Sequence, residues 1–303
     1  MIRAIEGRNN QSLKLARKLQ KKKHRRERGL YVVEGLDLLL AGLEAGELPA
    51  EVLVREDLFE RLPAELLEDA REDELDVGIC SPETLAAASS LGGAADIVAL
   101  FEMPEHSLAD LEPSAGLTVF LLGVGDPGNV GTVIRSAAAF GAGGVALSPG
   151  SADPHSPKAL RAAMGSQFLI PVVTEVSPED LVGKLLADQK RLGGPGGGRA
   201  SASGGRGAAA GPQIPGALPL VILADPQAAA HLGKTPLGPP AVLVLGSERG
   251  GLEEMLMAAG AAGFPSERVR EVAIGQARFD SLNLAMAASI FLYDLSGSGS
   301  RGI

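Results

Sequence analysis

The sequence predicts an α/β protein in two parts, a small N-terminal α/β domain and a larger C-terminal domain built on a parallel sheet. Three observations carry this. Short, almost wholly apolar runs (LTVFLLGV, LPLVILADP, AVLVLGSE) alternate with helical stretches, as in strands buried on both faces and joined by crossover helices. The length, 303 residues, leaves room for two hydrophobic cores. Residues 103–116, MPEHSLADLEPSAG, hold two prolines and little periodicity, and so read as the link between the parts.

In order along the chain, residues 1–28 read as a basic arm and 29–102 as the first domain. Leu30 to Val33 forms a strand, Leu36 to Ala45 an amphipathic helix and VLV at 52–54 a second strand; DVGICS is a further strand, and SPETLAAASS a helix capped by Ser81 with Pro82 at its first position. Residues 117–303 form the second domain. Its helices are expected from Asn129 to Phe140, around Lys158 to Gly165, from Pro178 to Gln189 and from Ser281 to Leu295, with strands between them. Residues 193–216 contain ten glycines and, apart from Ile214, no large apolar residue. Such a segment buries too little surface to offset the entropy of ordering and reads as a disordered insertion.

Composition narrows the function. With 45% apolar and 21% charged residues the chain is neither disordered nor membrane-spanning by composition. A lone Cys80 and four scattered histidines (His24, His106, His155, His231) offer no metal-ligand spacing, so no metal is expected. The N-terminus lacks the apolar stretch of a secretory signal, and Glu6 and Glu27 argue against a transit peptide; the expected location is cytoplasmic.

Charge is unevenly spread. The first 28 residues carry eleven Lys and Arg against two Glu, whereas the whole chain carries 28 against 37. Leu13, Leu15, Ala16 and Leu19 give the arm a helical stripe, which is compatible with a docked helix whose polar face is merely solvated. The density of KLARKLQKKKHRRER favours instead a foothold on RNA phosphates through Lys14, Arg17, Lys18, Lys21, Lys22, Lys23, Arg25 and Arg26.

Three stretches hold the chemistry. LLGVGDPGNVGTVIRSAAAFG places Gly123, Gly125 and Gly128 in dinucleotide-fingerprint spacing, but Pro127 sits in the loop and no acidic residue ends the next strand to take a ribose. A nicotinamide oxidoreductase is thereby disfavoured. On the helix that follows, Asn129 and Arg135 lie within about 120° of each other; alone, one reads as a cap and the other as a salt-bridge partner. AVLVLGSERGGLEEM runs a buried strand into a tight loop that carries Glu248 to the sheet's carboxyl edge, where open α/β sheets bind ligands. FDSLNLAMAASIFLYDL begins a strongly apolar helix with Ser281, a natural cap, and with Asn283, which needs a partner there.

Together GNVGTVIRSAAAFG, LVLGSERGGL and FDSLNLAMAASI resemble, in order and separation, the three motifs of the SpoU class of ribose 2'-O-methyltransferases in the SPOUT superfamily. ADPHSPKALRAAMGSQFLIPVV is similar to the family's segment after the first motif, and residues from IEGRNN to LLLAGL look like its N-terminal substrate-binding domain. The resemblance implies a deep trefoil knot in the C-terminal sheet domain and S-adenosylmethionine bound near Leu245, Gly246, Ile274 and Leu282. It implies a reaction centre of Asn129, Arg135, Glu248, Ser281 and Asn283, partly across a homodimer interface, and ribosomal or transfer RNA as substrate. Two roles for Arg135 follow: a base that loses its proton only beside bound ribose and phosphate, or an orienter of phosphate while Ser281 and water take the proton, a guanidinium being otherwise permanently charged. A catalytically silent RNA-binding relative in ribosome assembly is the alternative, disfavoured by retention of the full residue set. The chain departs from the family at Val272, Ala273 and Ile274, followed by a loop one residue longer, and at Arg249, which replaces the usual glycine.

Overall fold

The computed structural model describes residues 1–90, 95–192, 218–246, 249–276 and 282–297. The glycine-rich stretch 193–216, Glu248 and Ser281 lie outside the described residues. Two compact units emerge: Met1–Glu105 with Asp153–Leu169, and His106–Ala152 with Ile170–Ile303.

Unit 1 holds a mixed sheet of β1 (Ile2–Ile5), β2 (Leu30–Glu34), β3 (Glu51–Arg55), β4 (Asp76–Cys80) and β5 (Ile97–Glu102), in the order β1-β4-β3-β5-β2. β1, β4 and β3 run parallel, whereas β5 is antiparallel to both β3 and β2. Residues 1–28, read as an arm, contribute β1 and two helices, α1 (Gln11–Leu19) and α2 (Lys22–Arg28). Strand alternation sorts the core. Tyr31, Val33, Val52, Val54 and Phe101 pack on one face with α3 (Leu36–Glu44) and α4 (Ala64–Arg71). Val32, Leu53, Val98 and Leu100 pack on the other with α1 and α5 (Pro82–Ala86). The stripe seen in the sequence docks α1: Leu13, Ala16 and Leu19 are fully buried, Asn10 caps the helix by accepting from the Ser12 amide, and α2 ends at Gly29, whose φ of 64° suits a left-handed cap.

One cation leaves the RNA-facing set. Arg25 is only 2% exposed. Its Nη2 donates to Asp153 Oδ2 at 2.5 Å and its Nη1 to the Leu19 carbonyl at 2.7 Å, so it is a structural residue and cannot meet phosphate. Burial alone would raise the Asp153 carboxyl, but the hydrogen bond and charge of Arg25 outweigh it and hold the group below its ordinary value. Beyond Asp153, His155 packs on Tyr31 with ring centroids 4.9 Å apart, Phe168 on Phe101 at 5.2 Å, and Leu160 completes the same core. α7 (Pro157–Ala163) therefore belongs to unit 1.

Unit 2 is built on six parallel strands: β6 (Leu117–Leu122), β7 (Val145–Leu147), β8 (Val172–Val173), β9 (Leu220–Ala224), β10 (Ala241–Gly246) and β11 (Val269–Val272), in the order β11-β9-β10-β6-β7-β8. Every residue of β6 is buried, as a strand covered on both faces requires. Phe120, Leu122, Val242 and Val244 meet α8 (Pro178–Leu192) and α9 (Arg249–Ala261) through Leu181, Leu185 and Met255. The alternate residues turn toward α6 (Pro127–Ala139) and α10 (Leu284–Leu295), which pack on each other.

Candidate functional site

The site grows from the carboxyl ends of β6, β9, β10 and β11. After β6 the chain turns at Gly123, whose φ of 60° favours glycine, and two serines from beyond β7 hold the loop. Ser148 Oγ accepts from the Gly123 amide at 2.9 Å; Ser151 Oγ accepts from the Val124 amide at 3.3 Å and donates to the Leu121 carbonyl. Nothing in the first motif announces these serines, 25 and 27 residues downstream of the groups they hold.

Two cap assignments change. Helix α6 starts at Pro127, not Asn129, because Asp126 is its cap and accepts from the Asn129 amide at 2.9 Å. Helix α10 starts at Leu284 and is capped by Asn283, whose Oδ1 accepts from the Ala285 and Met286 amides, so the cap is not Ser281. These starts bring two candidate residues together, for Asn283 Nδ2 donates to Asn129 Oδ1 at 3.2 Å. Asn283 is therefore the exposed cap before the apolar helix and not a polar residue buried within it. Further along the pair, Ser136 and Ser289 share a hydrogen bond of 2.7 Å, and Phe140 meets the edge of Tyr293.

Beside the asparagine pair opens a cavity of about 500 Å³. Leu245, Gly246, Ile274 and Leu282 all line it, together with Val124, Asp126, Asn129 and Phe291. The second motif contributes closeness as well. A Cβ on Gly251 would stand 3.2 Å from that of Leu122, so α9 approaches the end of β6 at a distance only glycine permits without adjustment. Sequence reasoning missed two wall residues, Asp225 at the end of β9 and Gln276 after β11; Gln276 Oε1 is buried with no hydrogen-bond partner among the described residues. Arg135 is not a wall residue. It is exposed on α6 and makes no hydrogen bond or ion pair with any described residue. Also exposed in unit 2 are Met286, Ile290 and Tyr293, at 59%, 40% and 45%, one apolar stripe along α10.

In unit 1 the remaining candidate cations Lys14, Arg17, Lys18, Lys21, Lys22, Lys23 and Arg26 are exposed. Arg17 also donates to the Arg8 carbonyl, and Lys23 pairs with Glu27 across one helical turn. No described helix is long and apolar enough to cross a membrane.

Comparison with known proteins decides the family. Residues 116–193 match the SpoU rRNA Methylase family and residues 10–99 the MRM3-like substrate binding domain. The 23S rRNA (guanosine(2553)-2'-O)-methyltransferase RlmP of Bacillus subtilis is 34% identical over 58% of this chain and 67% of its own length. The chain belongs to the SpoU methylase family. An uncharacterized tRNA/rRNA methyltransferase of Synechocystis is 28% identical over 97% of this chain and 93% of its own. Among solved structures, an rRNA methyltransferase from Sinorhizobium meliloti superposes with a TM-score of 0.74 at 25% identity, each chain covered to 99%; its AdoMet-bound form gives the same score at 24% identity and supports the fold.

Proposed function

We propose that this SpoU methylase binds S-adenosylmethionine in the cavity beside Asn129 and Asn283 and methylates a ribose 2'-hydroxyl of ribosomal RNA. One observation carries the reading: the three motifs, scattered between residues 128 and 290, meet at a single cavity at the carboxyl edge of the parallel sheet. Its volume, about 500 Å³, lies within the roughly 300–1,000 Å³ of small-molecule sites, and the bare Gln276 acceptor calls for a ligand donor. The cofactor supplies a methyl group on a sulfonium, an electrophile that asks of the protein alignment more than acid–base power. Asn129 and Asn283 fix each other's amides at the mouth of the cavity. Arg135, as a planar and permanently charged fork, orients the phosphate beside the reacting ribose, while the hydroxyl proton leaves by way of Ser281 and water. Glu248 completes the centre, and the exposed arm cations anchor the RNA.

The same proposal covers assembly and the knot. A second copy of the chain closes over Met286, Ile290 and Tyr293, a stripe too apolar for an isolated surface, and shields Arg135 from bulk water. The chain after β10 follows the knotted path of the superfamily. Thermal unfolding with added ligand tests the cofactor reading: S-adenosylmethionine or its demethylated product raises the melting temperature, since a ligand of the native state stabilises by mass action, and NADH does not. A shift with NADH alone would overturn it.

A further inference from the structure

The cavity has an end that the proposed chemistry does not use. In the order β11-β9-β10-β6, the Asn129–Asn283 pair stands beyond β6, while Asp225 follows β9. With strands about 4.8 Å apart, one intervening strand sets these places roughly 10 Å from each other. Of the described residues lining the cavity, only Asp126 and Asp225 carry charge, and Asp126 is occupied as the cap of α6. Asp225 is differently placed. Its amide donates to the Val272 carbonyl, tying it to β11, and its Oδ1 accepts from the Gln227 amide at 2.9 Å. Its Oδ2 meets no described donor, and the residue makes no ion pair with a described cation. Nearby on the wall the Gln276 Oε1 is likewise without a donor. This end of the cavity is lined by acceptors.

The rest of the cavity lining is largely apolar, with Val272 on β11 and Ile274 after it on the far side of β9 from the asparagine pair, and with Leu245 and Leu282. An apolar slot suits a purine ring rather than a zwitterionic amino-acid tail. In an adenosyl compound the ribose is bonded directly to that ring, so its two vicinal hydroxyls come to rest over β9. Resting on the proposed cofactor, we infer that Asp225 is a specificity residue that grips the ribose diol of the adenosyl group, holding the nucleoside end while the methyl end faces Asn129 and Asn283. Two O–H donors on adjacent carbons match the two oxygens of a carboxylate, and a charged acceptor strengthens both bonds. The acidic residue that the first motif lacks for such a contact is thus supplied by a different strand.

Calorimetric titration tests this with wild type and Asp225→Asn, which keeps an oxygen for the Gln227 amide and so the local turn. The probes are S-adenosylhomocysteine, 5'-methylthioadenosine, which lacks the amino-acid tail, adenosine and 2',3'-dideoxyadenosine. Wild type is expected to bind adenosine about tenfold or more tighter than the dideoxy compound, and the variant to lose most of that preference. The variant should also weaken S-adenosylhomocysteine and 5'-methylthioadenosine by the same factor. Weakening of S-adenosylhomocysteine alone would mean that Asp225 meets the ammonium group and would overturn the inference. Equal wild-type affinity for adenosine and its dideoxy form would overturn it without reference to any variant. Wild type that binds none of the four would overturn the cofactor reading itself, and this one with it.

Discussion

Two sets of polar groups, the Arg25 and Glu34 clusters of unit 1 and the cavity rim of unit 2, are partnered in opposite ways. In unit 1 two clusters are fully partnered, Arg25 with Asp153 and the Leu19 carbonyl, and Glu34 with Gln20, the Ser89 hydroxyl and the Ser90 amide, although the Gln167 side chain and Arg3 Nε in the same unit meet no described partner. In unit 2 the groups around the cavity are left short of partners: Gln276 Oε1 and Asp225 Oδ2 have no described donor, and Asn129 and Asn283 hold each other with a single long bond. An unmade hydrogen bond in a protein interior costs about 1–3 kcal/mol. The Arg25 and Glu34 clusters avoid that cost, whereas the cavity of unit 2 carries it where a ligand can remove it.

Breaking the contrast on the unit 1 side should have the largest effect on stability. Arg25→Met leaves Asp153 buried without its counter-charge, and about 3–5 kcal/mol should be lost in urea unfolding. The pH dependence follows. Because the folded-state value of Asp153 is depressed, its stabilisation is fully present above the unfolded value of about 3.9 and is lost as pH falls through the lower folded value. Wild type should therefore weaken below about pH 4, and Asp153→Asn should be less stable above that window and flatter within it, the two converging at lower pH. On the unit 2 side the loss should appear in catalysis. Arg135→Lys should keep the fold and cofactor affinity yet slow single-turnover methylation about 100-fold, or roughly 2.7 kcal/mol, because a point charge does not reproduce the fork. Intermediate in size is Asn283→Ala, which removes the cap of α10 and the bond to Asn129 together; about 1 kcal/mol of stability should go. Smallest per residue is the cationic surface. Neutralising Lys21, Lys22 and Lys23 should flatten the log–log salt dependence of RNA binding by about two to three units, and an unaltered slope would assign RNA anchorage elsewhere.

Legibility followed burial. The strands β6 and β10 were readable because an all-parallel sheet hides both faces, leaving unbroken apolar runs. All four residues implied by the resemblance to hold the cofactor sit on one cavity wall. The β1 strand was not readable: its four residues carry one buried position and an arginine within a cation-rich stretch, so no alternation shows. Helix α9 was missed too, since LEEMLMAAGA mixes small residues with acids and gives no clean stripe. Cap chemistry was legible in kind and wrong in place, because Asp126 before Pro127 outcompetes Asn129. No local signal separates Arg25 from Arg26. What distinguishes them is Asp153, 128 residues away, and only the fold brings that carboxylate to one and not the other.

The detour of Asp153–Leu169 into unit 1 has a consequence for how the chain is made. The aromatic faces of Tyr31 and Phe101 are covered by His155 and Phe168, and the guanidinium of Arg25 is neutralised by Asp153. A nascent chain that has emerged only as far as residue 105 therefore presents an apolar aromatic surface and a charge awaiting its counter-ion. Those gaps close only after some sixty further residues, including the strands β6 and β7, have left the ribosome. The N-terminal unit is thus first in sequence but late to mature, and a gene cut at the apparent boundary would yield a fragment prone to association through those uncovered rings.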